Sequence, residues 1–132
     1  MVGGAAVVAM LAAPLAAQSP VPGTYSDSQA VRGQQWYESS CAACHPSRDM
    51  SSPDFQMRWR GRTAFDLFDR MRTTMPLTAP GTLSRRTYTD IVAYLMKING
   101  LPAGTTALAS DSTVLRETFL SFSGTPSTTN GR

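Results

Sequence analysis

Two cysteines and one histidine fall within five consecutive positions, Cys41-Ala42-Ala43-Cys44-His45, and the 132 residues contain no others of either type. C-x-x-C-H is the spacing by which haem is attached covalently to a polypeptide. The two thiols add across the porphyrin vinyl groups as thioethers, and the adjacent histidine becomes the proximal ligand of the iron. A single turn of chain can present two sulfurs to one edge of a flat macrocycle while the imidazole comes beneath the metal. A structural zinc site takes four protein ligands, and these residues supply three at most. A redox dithiol of the thioredoxin kind sits in a βαβ setting, and no strand pattern flanks this motif. A short disulfide would leave His45 unexplained. The cofactor expected is therefore one covalent haem c, bound through Cys41 and Cys44, with His45 on the iron.

An iron held by one histidine takes a second axial ligand or keeps an open position, and that choice separates electron carriers from sensors. With no second histidine, methionine is the remaining option, and its thioether raises the reduction potential. Met71 and Met96 fall at helical positions suited to core filling, and Met50 is too close to His45 for a short chain to circle the haem edge. Met57 lies in an expected connecting segment. Met75 is followed directly by Pro76, which biases it away from the α region and holds its thioether on a loop. Thirty residues separate it from His45, enough to pass round the porphyrin. Met75 is the expected metal ligand beside His45, with Met57 and Met71 as alternatives. If Met75 merely packs a loop, the iron is five-coordinate.

The elements that would position these groups are helical. Residues 26–40 read as a helix that Ser26 and Gln29 open as a capping box. Gly33 interrupts it, at a cost of about 1 kcal/mol relative to Ala, and Tyr37 lies on the same face four residues on. Residues 63–73 form a second helix, with Thr63 and Asp66 as a capping pair and Leu67, Phe68 and Met71 on one stripe. A third spans 85–99 after Ser84, with Tyr88, Ile91, Val92, Leu95 and Met96 on one face. Gly100 ends it and Pro102 prevents its continuation. The segment 111–122 reads either as a helix capped by Asp111 or as an extended stretch laid on the body. Trp59 and the arginines 58, 60 and 62 precede the second helix. An indole N–H and a guanidinium suit haem propionates, and Trp59 with Arg60 are the candidates.

On these residues the chain resembles the class I cytochromes c. In that family a glycine and an aromatic residue precede the haem motif and cross a late helix carrying an aliphatic and an aromatic residue. Here these are Gly33 and Tyr37 before Cys41, and Ile91 and Tyr94 within DIVAYLMK. The resemblance covers about residues 27–100. It implies an all-α fold of about three main helices wrapped around one covalent haem, with the axial methionine on a loop before the last helix. It also implies a backbone carbonyl orienting the histidine, for which Pro53 is the candidate. Residues 65–76 (FDLFDRMRTTMP), 80–84 (PGTLS) and 90–104 (DIVAYLMKINGLPAG) look more narrowly like cytochrome c subunits that take electrons from periplasmic quinoprotein or flavin alcohol and sugar dehydrogenases.

The ends and the composition fit that expectation. Residues 1–17 carry no charge, and an apolar stretch at 5–13 followed by Pro14 resembles a signal peptide cut after Ala17. The stretch is too short for a comfortable membrane span; an uncleaved anchor is the alternative. Residues 18–25 read as a flexible leader, 26–104 as the cytochrome c domain, 105–122 as an extension packed on it, and 123–132 as a disordered tail. Twelve basic against nine acidic residues give a net charge of +3, which two propionates would largely offset. Every basic residue but Lys97 is arginine and none form a run, so nucleic acid is not an expected partner. The expected protein is a periplasmic carrier of single electrons, not an enzyme. Its partners would be a dehydrogenase donor and an oxidase or other cytochrome as acceptor, with membrane association only through an uncleaved N-terminus or a partner. A five-coordinate ligand-sensing haem protein and a CxxC thiol-disulfide oxidoreductase are the competing readings.

Overall fold

The computed structural model describes Met1 and residues 24–122. Residues 2–17 of the expected signal segment, most of the leader and the tail 123–132 lie outside the described residues. Five α-helices follow in order: α1 Asp27–Ser40, α2 Pro53–Trp59, α3 Ala64–Thr74, α4 Arg85–Ile98 and α5 Ser112–Glu117, with a 3₁₀ turn at Asp49–Ser51. Two isolated β-bridges, Ser26 with Gly104 and Thr63 with Phe119, are the extended pairings among the described residues. The fold is all-α. None of these helices is long and apolar enough to cross a membrane.

The α1–α4 crossing organises the molecule. A Cβ at Gly33 would overlap the backbone carbonyl of Asp90 and stand 3.0 Å from the Tyr94 Cβ. Only glycine allows the two backbones to approach this closely. Beside the crossing, Arg32 grips the buried Asp90 carboxylate with both arms of its guanidinium, Nε to Oδ2 at 3.1 Å and Nη2 to Oδ1 at 3.3 Å. The rings of Tyr37 and Tyr94 meet at 5.2 Å. On α4 the expected stripe of Tyr88, Ile91, Val92, Leu95 and Met96 is buried throughout, and so are Thr89, Asp90, Ala93 and Tyr94. The helix is covered on nearly every side.

Capping sets the helix ends. The hydroxyls of Ser26, Ser52, Thr63 and Ser84 each accept from a backbone N–H three residues on, satisfying a donor that the helix leaves open. Thr63 and Asp66 form the full reciprocal box. Ser26 and Gln29 form only half of theirs. The Gln29 side chain instead clamps Leu108, donating to its carbonyl at 2.9 Å and accepting from its N–H at 2.7 Å. At the far end of α4, Gly100 adopts φ +80°. Its N–H reaches Lys97 O and that of Leu101 reaches Met96 O, the paired closure that favours glycine after a helix.

Two expectations need correction. Met57, read as lying in a connecting segment, is in a helix: Ser52 caps α2 and Pro53 occupies its first turn, where a missing N–H costs nothing. Tyr25, assigned to a flexible leader, is 1% exposed and its hydroxyl donates to Leu101 O at 2.6 Å. Residues 111–122 combine the two readings given for them, a helix capped by Asp111 and then an irregular extended segment joined to Thr63 by an isolated bridge at Phe119.

Candidate haem site

The C-x-x-C-H segment hangs from the end of α1 as a hydrogen-bonded turn. Cys41 caps the helix, its N–H on Tyr37 O at 2.8 Å; Ala42 N–H reaches the same carbonyl at 2.9 Å. The N–H groups of Cys44 and His45 then both return to Cys41 O, at 3.1 and 2.9 Å. The Tyr37 hydroxyl donates to His45 O, so the aromatic residue of the crossing also fixes the backbone of the histidine. Burial, foremost, holds the Tyr37 phenol protonated well above its ordinary range. Both thiols are unpaired, Cys41 half-buried and Cys44 exposed. Burial pushes the Cys41 thiol up, the opposite of the depression that activates a redox cysteine.

This turn borders a largely apolar cleft of about 230 Å³. Tyr37, Cys41 and His45 line it from the α1 end, followed by Met50; α2 contributes Phe55, Arg58 and Trp59. α3 adds Leu67, Arg70, Met71 and Thr74, Met75 follows at its end, and Leu95 comes from α4. Met75 caps α3 in an extended conformation, φ −131° and ψ 151°, as expected for the residue before Pro76. Its N–H is held by Met71 O at 2.7 Å and its carbonyl accepts from the Tyr88 hydroxyl, also at 2.7 Å. The backbone of Met75 is thus tied to both α3 and α4.

The structure brings Cys41, His45, Trp59 and Met75 to one cleft, while Cys44 is exposed on its turn outside the lining. Arg60, chosen for the propionates, ends α2 in an exposed position away from the lining. Arg58, inside the last turn, and Arg70 on α3 line the cleft instead. Arg62 lies 5.6 Å from the Trp59 ring centre. Met57 is 72% exposed and Met96 fully buried, and neither lines the cleft, so of the alternatives to Met75 only Met71 stays at the site. Met50, set aside for its nearness to His45, does line it. Pro53 opens α2 and takes no part in the lining. Arg70 was missed because its position follows from the helical phase of α3, for which the charged residue itself gives no cue.

The donor set suits a covalent haem: two unpaired thiols on one turn, an imidazole beside them, a thioether from another element, apolar walls and two guanidiniums. Helices crossing at Gly33, with this turn at the end of the first, define a small c-type cytochrome. The family model described as "Cytochrome C oxidase, cbb3-type, subunit III" matches residues 28–95, and the chain belongs to that cytochrome c family of haem-based electron carriers. Searches of curated proteins and of solved structures give no match.

Proposed function

We propose that this protein is an exported, periplasmic electron carrier with one haem c ligated by His45 and Met75. Its donor would be a dehydrogenase of the quinoprotein or flavin type, and its acceptor an oxidase or another cytochrome. The observation that carries the reading is the meeting of His45 and Met75 in the lining of one apolar cleft, with unpaired Cys41 at its border. Cys41 and Cys44 would hold the porphyrin covalently, and Arg58, Arg70 and Trp59 would receive its carboxylates. When bound, the haem supplies a one-electron ferric/ferrous couple. The protein's part would be to offer His45 and Met75 to the iron, exclude water through Phe55, Leu67, Met71 and Leu95, and hold the ligand backbones still. His45 is fixed through Tyr37, and Met75 through Tyr88. A site so braced changes little between oxidation states.

The acceptor class draws support from the family description, which names an oxidase subunit. The dehydrogenase class rests on the resemblance of residues 65–76, 80–84 and 90–104. Leu77, 80% exposed two residues beyond Met75, gives the cleft edge an apolar contact for a brief encounter with a redox partner. The test is a potentiometric titration of protein matured in a periplasm. The expected result is covalently retained haem and a single one-electron wave, 59 mV per tenfold change in the oxidised-to-reduced ratio. Colourless protein with alkylatable Cys41 and Cys44 would refute the reading in favour of a dithiol enzyme.

A further inference from the structure

The family match ends at residue 95, but the chain beyond it does not leave the core. Leu101, Leu108, Leu115, Leu120 and Phe122 are all buried. The segment is fastened at successive points. Gln29 clamps Leu108, and Arg85 donates to Ser110 O at 2.8 Å. The Arg116 guanidinium then lies 3.7 Å from the Phe65 ring centre on α3. Its last stretch pairs with the linker between α2 and α3 and with the first residue of α3: Ala64 N–H to Thr118 O at 2.7 Å, Leu120 N–H to Arg62 O at 2.9 Å and Gly61 N–H to Leu120 O at 3.3 Å. The path ends with the Phe122 ring 6.3 Å from that of Phe55, which in turn lies 6.2 Å from Trp59. Phe55 and Trp59 are the α2 wall of the cleft.

A helix of seven residues cannot persist by itself in water. The main packing partner of α2 among the named elements is the 3₁₀ turn, so its inward face depends on what lies behind Phe55, where the Phe122 ring stands. We infer that residues 118–122 are a strap that holds the α2 wall of the haem cleft, with Phe122 as its positioning residue. The strap acts on the cleft from behind, without lining it. Its effect on the haem rests on the cytochrome reading; its effect on α2 does not. Loss of Phe122 lets α2 move and admits water to that wall. A wetter haem favours the ferric form, which carries more positive charge, so the potential falls.

The experiment compares Phe122→Ala, Phe122→Leu and Phe119→Ala with the parent, all as full-length holoprotein. Phe119 is on the same strap but 57% exposed, and serves as the control. Amide hydrogen exchange is read over 53–59 against α1 and α4, and the potential is measured alongside. In Phe122→Ala, exchange over 53–59 is expected to quicken by about tenfold or more while α1 and α4 keep their protection. The reduction equilibrium is expected to shift a few-fold toward ferric. Phe122→Leu restores most of both, and Phe119→Ala changes neither. Unchanged exchange over 53–59, or a uniform rise across α1 and α4 in both Phe122 variants, would overturn the strap. If the parent lacks a methionine-ligated haem, the Met75 reading fails, and the exchange data still decide the strap.

Discussion

Met75 carries the finest claim about the site, and its neighbours say how that claim can be probed. Its side chain borders the cleft, but its backbone is what the fold controls, through Met71 on one side and Tyr88 on the other. Tyr88 is 2% exposed, so Tyr88→Phe removes a buried hydrogen bond while keeping the ring. The expected loss is about 1 kcal/mol of stability, together with a weakened methionine–iron absorption band in the ferric protein, read by thermal melting and visible spectroscopy. Haem binding was legible because the spacing of Cys41, Cys44 and His45 specifies that chemistry. The extended backbone of Met75 at the end of α3 was legible because Pro76 constrains the residue before it. The arginines were not: Arg58, Arg60 and Arg62 look alike in sequence, and only the phase of a helix the sequence had concealed puts Arg58 on the cleft.

At the scale of elements, the crossing of α1 and α4 is the least forgiving contact. Gly33→Ala would drive a methyl group into the Asp90 carbonyl. Backbone atoms cannot step aside as a side chain does, so the cost should reach or exceed the upper part of the ordinary overpacking range, about 3 kcal/mol. The expected readouts are a large drop in melting temperature and poor recovery of haem-loaded protein. This contact was readable through the resemblance to the class I cytochromes c, in which a glycine and an aromatic residue before the haem motif cross a late helix, as Gly33 and Tyr37 do with Ile91 and Tyr94. α2 was not read, although Ser52, Pro53 and Asp54 are helix-start residues; seven residues give too little periodicity to reveal a face. α5 depends on its cap. Backbone hydrogen bonds from Thr113 and Val114 hold the Asp111 carboxyl below its ordinary 3.8. A depressed carboxyl pKa stabilises the fold above the unfolded value and loses that contribution as pH falls through the folded one. Asp111→Ala should therefore melt earlier than the parent at pH 7, and the gap should narrow at pH 3 and below.

For the whole molecule, the sequence pointed to a helical domain with an extension laid on it, and the structure shows how completely the two are joined. Leu108, Leu115, Leu120 and Phe122 share one core with α1, α3 and α4. Their separation from the main helices hid this, since a short extended segment that buries alternate residues resembles a loop until its partners are known. A small domain has little apolar surface to bury, and here the extension enlarges the core. The account of a carrier with both axial positions closed is tested most directly by the visible absorption spectrum of the ferric holoprotein beside that of Met75→Ala. The parent should be low-spin with a weak red methionine–iron band and resist carbon monoxide when reduced. Met75→Ala should lose the band, turn high-spin and bind carbon monoxide readily. A high-spin parent, or a Met75→Ala protein with the parent's spectrum, would contradict the account.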